Sequence, residues 1–142
     1  MSDPVSAIVA ILKADSAVAA LAETRIHGEE LPQAVADAMP KKGVVIRSAG
    51  GFSPARGTLR HTGGRIDAIC WGETPYEANR MNRAVFDCLK TVRRQRVALD
   101  AGAMLIHWIE DASSPFSLRD QDTNWPAVTQ SFQIFHAMDE AA

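Results

Sequence analysis

Cysteine is scarce in this chain: of 142 residues only Cys70 and Cys88 are cysteines, and no Cys-x-x-Cys or Cys/His cluster accompanies either. That leaves a metal centre without ligands at the right spacing and excludes a disulfide-stapled scaffold. Both thiols are expected reduced in the core, a usage that fits a cytosolic protein. Charge of one sign is equally scarce. The net charge is −2, which excludes the strongly basic profile of general nucleic-acid binders. Long hydrophobic runs are missing too. The apolar stretch Val5–Leu12 is broken by Lys13 and Asp15, and no basic segment precedes it, so it reads as neither a signal peptide nor a membrane span. Of the four histidines, His27, His61, His107 and His136, no two stand four apart, and His-Glu-x-x-His does not occur. There is no Gly-x-Ser-x-Gly elbow. The glycine pairs Gly50-Gly51 and Gly63-Gly64 bracket a connection between strands, whereas a phosphate loop needs a strand running straight into a helix. No catalytic residue, metal or cofactor is therefore expected.

What remains has clear local order. Asp3-Pro4 opens a helix, with Asp as cap and Pro at the position where its missing N–H costs nothing. Val5, Ile8, Val9 and Leu12 then form one apolar stripe. Asp15 caps a short alanine-rich turn that carries Val18 and Leu21. Arg25-Ile26-His27 reads as a short extended piece, and Leu31–Met39 as a connecting loop with a helical turn. Val44–Ile46 is a strand. Gly50–Gly64 holds five glycines and little apolar content and reads as a long connection, a mobile loop or extended hairpin arms. Arg65–Trp71 is a strand with Ile66, Ala68 and Cys70 on one face and Asp67, Ile69 and Trp71 on the other. Thr74-Pro75-Tyr76-Glu77 is a capping box. It starts a helix whose stripe is Met81, Val85, Cys88, Leu89 and Val92 and whose C-terminal end is crowded by Lys90, Arg93, Arg94 and Arg96. Strands Ala103–Ile109 and Ala127–Phe135 follow, separated by a long polar loop, Glu110–Pro126. In the last strand Val128, Phe132 and Ile134 face one way, and Thr129, Ser131, Gln133 and Phe135 the other. This order predicts a single α+β domain, residues 1–142, in which two helices cover one face of a four-stranded, mainly antiparallel sheet with two long loops.

The charges are segregated along the chain. Lys41 to Arg65 carries six basic residues and no acidic one, while Asp100 to Asp122 carries five acidic residues against Arg119 alone. Two solvated loops are the ordinary reading of such runs. Opposite charges on two loops also suit head-to-tail docking between copies, and heterologous contacts of that kind close into a ring where the rotation allows. On that reading Phe52, Arg56, Arg60 and His61 supply one side of a subunit or partner interface, and Asp111, Asp120, Asp122 and Trp125 the other. Trp71 and Trp108 are expected in the core. Trp125, next to Pro126 at a loop end, is either an interface anchor or a local packing residue.

The order of these motifs resembles a family of small phage tail-completion, or tail-terminator, proteins. The resemblance rests on Leu12-Lys13-Ala14-Asp15, on Ala19–Ile26 with its Leu21 and Arg25-Ile26, on Ile66–Ala78 with a strand ending in Trp71 and then a capped helix with Glu77-Ala78, and on the alternation Val128–Phe135. It implies a structural protein, without catalytic residues, that forms a ring, usually a hexamer, on the end of a tail tube. Such a ring stops tube polymerisation and offers a surface to the head connector. The implied partners are other copies of itself, the tail tube protein, the head–tail connector, and double-stranded DNA that passes through the lumen without sequence-specific binding, with no membrane. The implied location is the virion tail, assembled in the host bacterial cytoplasm, with relatives in gene transfer agents. Another head–tail joining or neck protein is the nearest alternative, and a small ligand-binding α+β domain the alternative from a different class.

Overall fold

The computed structural model describes residues 4–30, 32–33, 41–52, 61–99, 102–119 and 124–139, with backbone alone at 51, 52, 61, 62, 102, 138 and 139. Asp3 and most of Leu31–Met39 lie outside the described residues. Helix α1 (Pro4–Ala14) buries Val5, Ile8, Ile11 and Leu12. It breaks at Asp15, whose Oδ1 accepts from the amides of Ala17 and Val18 at 3.0 Å each, and α2 (Ser16–Ala22) leaves at 89° to it. A carboxylate capping the N–H groups of a second helix is what makes so sharp a corner tolerable.

Strands β1 (Ile26–Gly28), β2 (Gly43–Phe52) and β3 (His61–Trp71) come next. Helix α3 (Pro75–Lys90) follows, then β4 (Arg93–Leu99), β5 (Gly102–Asp111), β6 (Phe116–Arg119) and β7 (Pro126–Asp139). They make one seven-stranded sheet in the order β1-β2-β3-β7-β5-β4, with β6 also on β7. Only β1 runs parallel to its neighbour. The expected sheet was four-stranded; three further strands, β1, β4 and β6, join it. The expected basic C-terminal end of the long helix is instead strand β4. The helix stops at Lys90, Thr91 caps it, and Arg93 and Arg96 pair with Trp108 and Leu105. Arg94 turns out of the ladder at φ 48°. The expected polar loop after β5 contains β6, which shares one edge of β7 with β5: Phe116–Arg119 pairs with Thr129–Pro126, and Gly102–Asp111 with the later part of β7.

The hairpin arms of β2 and β3 continue beyond the apolar part of the sheet. Phe52 pairs with Gly63 and Gly51 with Gly64 across a bulge after Ser48. Gly50 sits there at φ 87°, a conformation that favours glycine.

Among the described residues three helices longer than a turn, one more than expected, cover one face of the sheet. The core beneath them joins the α1, α2 and α3 stripes to Ile46, Ile66, Met104, Ile106, Ile109, Phe132 and Ile134. Phe132 is fully buried and lies 6.4 Å, ring to ring, from Phe86 of α3. Each such apolar side chain contributes about 1.5–3 kcal/mol relative to exposure. Cys70 and Cys88 are buried and unpaired. The opposite face carries a smaller cluster of Val45, Trp71 and Ala127, with Ile69 and Trp125 against it. The alternation read in β3 and β7 holds: their even-numbered side chains face the helices.

Candidate assembly surface

Cross-strand register fixes where the two charged segments leave the fold. His61 pairs with Ala137 at one end of the β3–β7 ladder, and Trp71 with Ala127 at the other. The basic hairpin departs from the first end, between Phe52 and His61. The stretch that carries Asp120 and Asp122 departs from the second, where Arg119 pairs with Pro126, whereas Asp111 pairs with Phe132 partway along β7. Ten residue steps of strand separate them, roughly 33 Å. Arg56, Arg60, Asp120 and Asp122 lie outside the described residues. Phe52 and His61 are placed as backbone positions on the hairpin arms.

Asp111 and Trp125 are placed in full. Asp111, at the end of β5, accepts from Lys90 Nζ at 3.0 Å. That bond, with smaller help from a backbone hydrogen bond, holds its carboxyl below the usual carboxylate range. Lys90 also lies 5.7 Å from the Phe86 ring centroid. Trp125 is half-buried, edge-on to Trp71 at 6.3 Å. Trp108 sits half-buried on the helix-free face, 5.7 Å from the Phe135 ring, with His107 on the same ring at 5.3 Å. A bulge between Ile106 and Trp108 puts both beside Phe135.

The sequence reading missed a second feature on the helical face. The chain between β5 and β6 is held down by Gln130, whose side chain is buried between Val128 and Phe132 in the helix-facing row of β7. Its Nε2 donates to the Ser113 carbonyl at 3.1 Å, and its Oε1 accepts from Asn82 Nδ2 at 3.2 Å. Ser113 Oγ accepts from the Ser131 amide at 3.1 Å. These bonds hold residues 112–115 clear of α3 and leave a groove of about 580 Å³ with Asn82 and Gln130 in its lining. Tyr76, Phe86 and Pro115 line it with Arg80 and Arg83, and among the described residues no acidic side chain does. Among the described residues the exposed large hydrophobics are Tyr76, Phe116 and Leu118. All three stand beside this groove or on the neighbouring strand β6. The signal in the sequence was the alternation Phe116-Ser117-Leu118-Arg119 inside a polar stretch.

The capping of α3 departs from the expected box in one respect. Thr74 Oγ1 accepts from the Glu77 amide at 3.2 Å, but the Glu77 carboxylate meets Lys42 at 3.1 Å and Arg80 at 3.6 Å instead. Among the described residues no group of three or more histidine, cysteine, aspartate or glutamate side chains could hold a metal.

No protein-family model matches the chain, and no curated protein matches it in sequence. Its backbone is similar to that of a chain in the virion of a native gene transfer agent particle, with a TM-score of 0.62 and 16% identity over 96% of this chain and 100% of that one. It is also similar, more loosely, to the bacteriophage SPP1 gp17 protein, with a TM-score of 0.45 and 14% identity over 96% of this chain and 88% of that one. At these identities the first likeness is one of fold, and the second carries no argument.

Proposed function

We propose that this chain is a structural, non-enzymatic subunit of a phage-like tail, a tail terminator that acts by closing into a ring on the end of the tail tube and presenting a surface to the head connector. The observation that carries the reading is the fold shared, over 96% of this chain and 100% of the other, with a component of a gene transfer agent virion. The motif order of the sequence points to the same class of particle. A ring suits the geometry. Cyclic closure needs two different patches that meet between neighbours, and the hairpin that carries Arg56 and Arg60 departs from the opposite end of the sheet to the stretch that carries Asp120 and Asp122. Separated by roughly 33 Å of strand, they are poorly placed to neutralise each other within one copy and well placed to do so between copies. In this reading Phe52, Arg56, Arg60 and His61 of one subunit meet Asp111, Asp120, Asp122 and Trp125 of the next, a hexamer is the expected closure, and DNA passes through the lumen without sequence-specific contact.

The test is the solution mass by light scattering, alone and with tail tube protein added. The expected result is a discrete ring-sized species, lost in Arg56→Glu/Arg60→Glu and recovered when Asp120→Arg/Asp122→Arg is added to that variant. A wild-type chain that stays monomeric with tube protein present overturns the ring. A ring undisturbed by the arginine reversal overturns the interface assignment.

A further inference from the structure

We infer that the open edge of β6, together with the groove beneath α3, is a docking surface for an extended segment of a partner protein in which acidic and apolar residues alternate. This goes beyond the ring reading and does not depend on it.

The strand edge comes first. Among the described residues β6 pairs with β7 alone, so its outer edge has backbone donors and acceptors without a ladder. An edge in that state is a template for an added strand. The row that ends at Phe116 runs back through Thr129, Ile69 and Val45 to His27, so a segment added there continues an existing five-strand band.

Side chains on the two faces then specify chemistry. Successive residues of an added strand point to opposite faces of the sheet. On the helix-free face they meet Phe116 and Leu118, which are 54% and 41% exposed. That is unusual apolar exposure for an edge strand, and it favours aliphatic or aromatic partners. On the other face they point toward α3 and the groove of about 580 Å³. Its rim is basic. Arg80 already meets Glu77 at 3.6 Å, whereas Arg83 is exposed and makes no ion pair or hydrogen bond among the described residues. A guanidinium of that kind, beside the apolar walls formed by Tyr76 and Phe86, favours a carboxylate carried on the incoming strand. Charge complementarity therefore selects acidic residues for one face, and exposed apolar surface selects hydrophobic ones for the other.

The probe is a fluorescent octapeptide alternating Glu with Leu, compared with its Lys/Leu counterpart, titrated by anisotropy against the full chain at two salt concentrations. We expect the Glu/Leu peptide to bind at least tenfold more tightly than the Lys/Leu one and to weaken about tenfold in Arg83→Glu, with amide shifts confined to β6 and the first half of α3. Arg83 is exposed, so this variant folds, and unchanged circular dichroism checks it. Phe116→Ser should weaken both peptides. Equal affinity of the two peptides, no effect of Arg83→Glu, or shifts mapping to the β1 edge overturns the inference. So does a fall in oligomer mass as the Glu/Leu peptide saturates, because the occupant is then a second copy of this chain.

Discussion

Gln130 gives a test with a worked magnitude. It is a polar residue in the helix-facing row of β7, 2% exposed, and its two hydrogen bonds tie α3 to the chain between β5 and β6. Gln130→Met keeps the volume and removes both bonds. The Asn82 donor and the Ser113 acceptor then lose their partner, at about 1–3 kcal/mol for each group left unsatisfied. Because Asn82 lines the groove and Ser113 is only half-buried, the lower half of that range applies, and ~3 kcal/mol is expected in total. Asn82→Leu strands only Gln130 Oε1 and should cost ~1.5 kcal/mol. In the double variant the Asn82–Gln130 pair is gone from both sides and only the Ser113 acceptor stays bare. The cost should be ~1.5 kcal/mol, against ~4.5 kcal/mol for the sum of the singles, a coupling of ~3 kcal/mol. Urea unfolding of the four proteins measures it, since a domain of this size carries roughly 5–15 kcal/mol and survives each change. Amide exchange over residues 116–119 should quicken in Gln130→Met and much less in Asn82→Leu, because only the first releases Ser113. Additivity within about 0.5 kcal/mol would refute the account of a buried polar tie.

Three further outcomes follow from single sites. A methyl group on Gly72 would stand 2.4 Å from the Ala78 amide nitrogen and 2.7 Å from the Glu77 carbonyl carbon, both backbone, so Gly72→Ala must displace the start of α3 and should cost at least ~2 kcal/mol in thermal or urea unfolding. His136 is buried with its Nδ1 unpartnered among the described residues, and burial, then the charge of His107, push its pKa below the usual 6.5. The unfolded chain therefore takes up the proton more readily, and its contribution is complete above pH 6.5 and lost as pH falls below it. His136→Phe should flatten that part of the stability–pH curve, and an unchanged slope refutes it. Burial pushes the thiols of Cys70 and Cys88 up to about 12, so neither should react with a thiol reagent at pH 8 until the protein unfolds. Fast labelling of the native chain would contradict the core placement.

The groove and the strand beside it show where reading the chain ran short. Phe116-Ser117-Leu118-Arg119 alternates as a strand does, but four residues between prolines and acidic side chains look like loop, and all four are exposed. Arg93-Arg94-Gln95-Arg96 follows a helix whose dipole welcomes positive charge, so its basic residues read as the helix end. In both cases the deciding partner lies far along the chain: Thr129 for Phe116, and Trp108 for Arg93. Edge strands need no buried alternation to form, only an unpaired neighbour to join.

What the chain determined alone was what closes over short distances. The Asp15 and Thr74 caps bond amides two or three residues on, and the stripes of α1 and α3 follow from helical spacing. The alternation of β3 and β7 sorted their inner and outer faces because side-chain direction in a strand depends only on parity. Tertiary structure decided which segments became strands at the sheet's edges, and it sent the Glu77 carboxylate to Lys42 rather than back to its own cap. It also set the β2–β3 hairpin arms and the end of β6 at opposite ends of one ladder. The reason is physical: a helix finds its hydrogen-bond partners within four residues, whereas a strand finds them in another segment, and only the assembled sheet says which one is free.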